Sequence, residues 1–266
     1  MTDEESALPF LDHLEELRKR LIRCAIAIAA GFAVSYAFKD RLFAILIRPL
    51  VSAMDTQDNM IFTGLPEAFF TYLKVSLLAG FILALPVIFY EFWMFVAPGL
   101  YKKERKLIVP VVLISLLFFA AGALFGYYLV FPYGFKFFLG FATETIRPFP
   151  SMREYLSFAA KLLLAFGLAF ELPLVITCFA RFGFVTVPFL KKNRKYAILI
   201  FFGGSAILTP PDVVTQIMLS IPLMALYELS IVGARVFGRK PLDPDADDAD
   251  AEPENDADDK DDKAET

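Results

Sequence analysis

Two carboxylates stand inside clusters of cations. Glu104 lies in Tyr101-Lys102-Lys103-Glu104-Arg105-Lys106, and Glu16 in His13-Leu14-Glu15-Glu16-Leu17-Arg18-Lys19-Arg20. The first cluster joins two long hydrophobic runs, where lysine and arginine oppose transfer across a membrane and so keep a loop in the cytosol. A glutamate has no part in that. It offers a fixed anion at the membrane edge, able to take a positively charged ligand through charge-assisted hydrogen bonds. A guanidinium suits it best, because it is planar, always charged and grips a carboxylate with two parallel N–H groups. Glu16 and Arg20 are also spaced i, i+4, and an exposed helical pair of that kind contributes about 0.3–0.5 kcal/mol, too little to hold the carboxylate against a competing guanidinium pair.

A third acid sits in apolar surroundings. Glu171, in Phe166-Gly167-Leu168-Ala169-Phe170-Glu171-Leu172-Pro173, falls near the middle of a hydrophobic run. A carboxylate there costs about 2.5–3.5 kcal/mol on insertion scales, so it is expected to face protein, water or a partner helix rather than lipid. Glu91 and Glu228 fall nearer the ends of such runs, and Lys74 and Lys161 read as interface anchors. His13, the one histidine, has no nucleophile or metal-ligand partner, which leaves helix packing or interface placement as its role. Cys24 and Cys178 lie in hydrophobic runs with no CxxC spacing. The chain carries no HExxH, no GxSxG and no phosphate-binding loop, so no enzyme, metal, cofactor or nucleic-acid partner is expected.

The elements that must position these residues are membrane spans. Apolar residues make up 57% of the chain, 30 residues are Phe, and the mean hydropathy is +0.56, because the apolar residues gather into runs of spanning length. Six runs lie near 22–38, 69–95, 107–130, 156–180, 196–209 and 213–234. The fifth is short of a hydrocarbon core of about 30 Å and ends at Thr209-Pro210-Pro211-Asp212, so the last two read as a tight hairpin. Pro86, Pro173 and Pro222 interrupt the helical runs and bend them. The long loops 40–68 and 131–155 are expected to form short interfacial helices.

Cations set the orientation. The N-terminus, the second-to-third loop, the fourth-to-fifth loop and the segment after the sixth run hold 16 Lys and Arg, against six in the loops of the other face. That bias places both termini in the cytosol. Residues 1–21 read as an amphipathic surface helix, with Phe10, Leu14, Leu17 and Leu21 on one face. Residues 22–238 form the membrane domain, and 239–266 an acidic tail. Residues 243–266 alone carry a charge of −11 within a chain total of −4, which leaves +7 for the rest. Lacking any aromatic residue, that tail cannot bury a core and is expected to be disordered. The first apolar run follows Arg18-Lys19-Arg20 with no small-residue cleavage site, so it is expected to remain as a signal anchor.

Four ordered motifs carry a resemblance. Phe10-Leu11-Asp12-His13-Leu14-Glu15-Glu16-Leu17-Arg18-Lys19-Arg20-Leu21, Phe95-Val96-Ala97-Pro98-Gly99-Leu100-Tyr101-Lys102-Lys103-Glu104-Arg105, Phe170-Glu171-Leu172-Pro173 and Leu208-Thr209-Pro210-Pro211-Asp212 closely resemble the TatC family over residues 8–238. That family is the multispanning receptor of the twin-arginine protein translocase. The resemblance implies an all-α polytopic fold of six helices in a concave, glove-like bundle with the last two short, in the bacterial inner membrane. It implies recognition of folded cargo through signal peptides with consecutive arginines, single-span TatA and TatB partners, several copies per complex, and drive from the proton gradient. By the same resemblance, Glu16 and Glu104 are the arginine-binding carboxylates, with Arg18, Phe95 and Tyr101 on the same surface. Glu171, Thr209 and Gln216 match intramembrane polar positions that meet partners, and Pro49 and Asp212 match structural positions on the far side. Glu91 departs from the family pattern, in which glutamine is frequent. Two other classes remain open: a proton-coupled small-solute carrier using Glu171, and a passive membrane scaffold.

Overall fold

The computed structural model describes residues 4–54, 60–61, 64–96, 108–141, 149–208 and 213–238, of which those before His13 are described as backbone only. The acidic tail expected over 239–266 lies outside the described residues. Every regular element among them is helical: α1 (Glu4–Ala37), α2 (Lys39–Val51), α3 (Glu67–Val96), α4 (Ile108–Phe125), α5 (Phe131–Leu139), α6 (Met152–Phe170), α7 (Leu172–Arg181), α8 (Val187–Lys192), α9 (Arg194–Leu208) and α10 (Val213–Phe237), with a π-helical turn at Gly126–Val130 joining α4 to α5.

Among the described residues, five helical stretches are long and apolar enough to cross a membrane: His13–Ala37, Glu67–Val96, Ile108–Leu139, Met152–Arg181 and Val213–Phe237. The chain is therefore a multi-pass membrane protein. The fifth hydrophobic run forms α9, whose 15 residues cover about 22 Å and fall short of the hydrocarbon core. The expectation that the last two helices are both short is corrected in α10. That helix runs 25 residues, straight through Pro222 to Phe237, and is long enough to span alone. The N-terminal stretch also differs from a separate surface helix. It is continuous with the first span in a single 34-residue helix, because nothing between Arg18 and Ala37 breaks the helical backbone. Its stripe of Leu14, Leu17 and Leu21 is exposed.

Packing centres on α3, which takes α1, α2, α4 and α6 against its sides, while α7 and α9 pack on α10. One core gathers Leu85, Phe89, Trp93, Ile108, Val112 and Phe119 between α3 and α4; a larger one surrounds Phe131, Phe135, Tyr155, Leu156, Leu162 and Phe166. At the α1–α3 crossing the backbones touch: a Cβ on Gly31 would lie 2.4 Å from the Gly80 carbonyl oxygen, so only glycine permits this approach.

On the loop face opposite the start of α1, Glu67 gathers donors from two segments. It accepts from Ser151 Oγ at 2.8 Å, from the Arg153 N–H at 3.0 Å and from the Gly64 N–H at 3.3 Å. Ile61 and Ser151 form an isolated parallel bridge beside it. Each donor left unpaired in a buried place costs about 1–3 kcal/mol. Glu67→Ala is therefore expected to lower stability by at least about 1 kcal/mol, whereas Glu154→Ala, at an exposed position of the same region, should stay within about 0.5 kcal/mol. Thermal unfolding in detergent checks both.

Candidate ligand-binding surface

The α1–α3 contact brings the N-terminal half of α1 beside the C-terminal end of α3. His13 stacks on Phe95 with ring centroids 4.5 Å apart, which ties the two helices at that end. One turn along, Glu16 is half-buried, with 39% of its side chain exposed. Arg20 Nε donates to its Oε1 at 3.1 Å, and Arg20 Nη2 donates to the same oxygen. Arg20 is not confined to its own helix: its Nη1 donates to Glu91 Oε2 on α3 at 2.8 Å. Arg23 Nη1 donates to the other Glu91 oxygen at 3.1 Å.

Glu91 is only 7% exposed, and a carboxylate that deep is tolerable because two guanidinium groups face it. The local reading of Glu16–Arg20 as a weak surface pair is thus incomplete. Arg20 is held by two carboxylates and is 12% exposed, so the pair is anchored to α3 as well as along α1.

Of the residues expected at this surface, Glu16 and Phe95 come to one end of the α1–α3 contact. Arg18 is exposed on α1. Tyr101 and Glu104 lie outside the described residues. Arg20 and Glu91 are the residues that sequence reasoning undervalued. The i, i+4 spacing signals Arg20, but nothing local reveals a partner 71 positions away on another helix.

Inside the bundle, Glu171 sits where the fourth hydrophobic run breaks into α6 and α7. Pro173, second residue of α7, has no N–H to continue the α6 ladder, and the Glu171 N–H closes a shorter turn onto the Leu168 carbonyl at 3.1 Å. Its side chain is buried, with the residue 6% exposed, and lies against Ser115 and Phe119 of α4. Among the described residues, Oε1 of Glu171 has no hydrogen-bond partner. Trp93 Nε1 donates to Ser115 Oγ at 2.9 Å, so a polar chain runs from α3 through α4 to the α6–α7 break. Gly167 faces the Phe119 ring closely enough that a Cβ would clash at 2.5 Å, which is how α4 reaches this acid.

Gln216 donates from Nε2 to the Phe202 carbonyl at 2.8 Å and joins α10 to α9, next to a buried Ser205–Ser220 contact of 3.1 Å. Thr209 and Asp212 lie outside the described residues. Pro49 is buried inside α2 and lines a cleft of about 480 Å³ with Arg48, Tyr127, Tyr128 and Lys136. Among the described residues no group of three His, Cys, Asp or Glu is placed to hold a metal ion.

Residues 12–222 match the family model of the Sec-independent protein translocase protein TatC. A protein of that name from Desulforapulum autotrophicum is 66% identical over 240 residues, 90% of this chain and 89% of the relative. Another from Escherichia coli is 37% identical over 233 residues, 88% of this chain and 90% of the relative. A crystal structure of a twin arginine translocase receptor, TatC, superposes with a TM-score of 0.78 at 41% identity, over 85% of this chain and all of that one.

Proposed function

Because the chain belongs to the TatC family of Sec-independent protein translocase proteins, we propose that it is the receptor subunit that binds twin-arginine signal peptides. Glu16 and Glu104 take the two arginines at the cytosolic face, beside Arg18, Phe95 and Tyr101. The observation that carries this reading is Glu16 itself. At the membrane edge, at one end of the α1–α3 contact, it is half-exposed and already holds a guanidinium through two N–H groups. The surrounding Arg18, Lys19 and Arg23 repel stray single cations, so a ligand must bring a matched pair of forks to displace the local arrangement. Binding of a twin-arginine peptide to the purified chain tests it: saturable binding that a Lys-Lys peptide does not match supports the receptor, and equal binding of both rejects it.

Cargo then passes with TatA- and TatB-type partners, in a complex with several copies of this chain, in the bacterial inner membrane with both termini cytosolic. Glu171, Thr209 and Gln216 face that assembly step rather than the arginines. Glu171 supports the division of roles by its placement at a helix break in the span, with one oxygen free of hydrogen bonds among the described residues. Replacing Glu171 by Gln is expected to leave peptide affinity within about twofold while transport of a folded cargo falls by at least about fivefold. Binding and transport assays on the same reconstituted vesicles separate the two, and equal loss in both counts against the division. Solute uptake by the chain alone would instead favour a carrier.

A further inference from the structure

The carboxylate assigned to the ligand is not vacant. Glu16 Oε1 accepts from both Nε and Nη2 of Arg20, so the carboxylate already holds a guanidinium, its two N–H groups closed onto a single oxygen. The third arm of that guanidinium, Nη1, is fixed on Glu91 of α3 at 2.8 Å. Arg23 completes the Glu91 pairing from the other side.

We propose that Arg20 and Glu91 set the arginine selectivity of this site: Arg20 is the guanidinium an incoming arginine must displace from Glu16, and Glu91 is the carboxylate that keeps Arg20 paired once displaced. This rests on Glu16 being a ligand-binding carboxylate. A ligand gains only the difference between the pair it makes and the pair it breaks. An arginine exchanges one fork for another and adds the contacts of its neighbour. A lysine replaces a planar fork by a single ammonium point and loses on the exchange. The leaving Arg20 does not strand a charge among apolar side chains, because Nη1 is already on Glu91 before the ligand arrives. Without Glu91, Arg20 would have Glu16 as its one carboxylate among the contacts described and would be harder to move.

The test uses the full chain in lipid nanodiscs and fluorescent peptides whose n-regions carry Arg-Arg or Lys-Lys, read by anisotropy. Arg20→Gln is expected to tighten both peptides, the Lys-Lys peptide by about three- to tenfold and the Arg-Arg peptide by less, so that discrimination narrows. Glu91→Gln is expected to weaken Arg-Arg binding by about three- to tenfold. The double variant should behave like Arg20→Gln alone, since Glu91 acts through Arg20. Arg20→Lys keeps the charge and loses the fork, and should fall between wild type and Arg20→Gln. A merely structural Arg20 would give weaker or unchanged binding in Arg20→Gln and in Arg20→Lys, and either result overturns the proposal. Glu16→Gln separates the two levels. If it binds like wild type, the assignment of Glu16 fails; if it loses binding while Arg20→Gln does not tighten, only the selectivity device fails.

Discussion

Glu16→Ala and Glu104→Ala are each expected to abolish binding of a twin-arginine peptide, while the protein still inserts and folds. A charge-assisted hydrogen bond contributes about 1.5–3 kcal/mol, so removing one carboxylate from a matched pair should cost at least about tenfold in affinity. The fold tolerates the Glu16 change because that side chain is half-exposed and α1 is held to α3 by other means. His13 on Phe95 and Arg20 on Glu91 both remain when Glu16 is truncated. Titration of a labelled peptide measures the loss, and protease protection of the inserted chain measures the fold. Glu15→Ala is the internal contrast: Glu15 pairs with Lys19 at 2.8 Å on an exposed face, and its loss should change affinity by less than about twofold.

The second large effect is expected from the smallest side chains. Gly80→Ala places a Cβ 2.4 Å from the Phe32 amide nitrogen, and Gly31→Ala places one 2.4 Å from the Gly80 carbonyl. Both obstacles are backbone, so no rotamer change relieves them and the helices must separate. Overpacking of this kind costs about 1–3 kcal/mol. The consequence reaches function because α1 packs chiefly on α3, and the same contact holds Arg20 against Glu91. Each substitution should lower the thermal unfolding temperature in detergent and weaken peptide binding together. Gly203→Ala is the control, with nothing within 4 Å of the added methyl; alanine favours a helix over glycine, so stability should hold or rise slightly.

The helices were legible because burial in lipid leaves a strong trace of long apolar runs and cations on one side, while of the three span prolines only Pro173 marks a break and α3 and α10 run on through Pro86 and Pro222. Glu171 was legible for the same reason, as a charge where lipid forbids one, and the short α9 followed from the brief apolar run 196–209 that ends at Pro210 and Pro211. What escaped was long-range. Glu91 sat near the end of a run and stood out only as a departure from the family's frequent glutamine; its meaning comes from Arg20 and Arg23 on another helix. Glu67 carries no signal in the sequence, yet it ties Gly64, Ser151 and Arg153 together. Ser205 and Ser220 gave no pattern because a hydroxyl in a membrane helix commonly bonds its own backbone, and their mutual contact depends on how α9 meets α10. The continuity of α1 was hidden by its charge: a cationic stretch before an apolar run reads as a boundary, although lysine and arginine sustain a helix well.

Site-directed crosslinking tests the shared-site claim most directly. Single cysteines would be placed along residues 10–21 and 95–106, in a chain with Cys24 and Cys178 replaced, and probed with a twin-arginine peptide carrying a thiol-reactive group beside its arginines. Crosslinks in both stretches, suppressed by excess unlabelled Arg-Arg peptide and not by its Lys-Lys counterpart, are the predicted result. Crosslinks confined to one stretch, or equal suppression by the two competitors, would contradict a site in which Glu16 and Glu104 receive one pair of arginines.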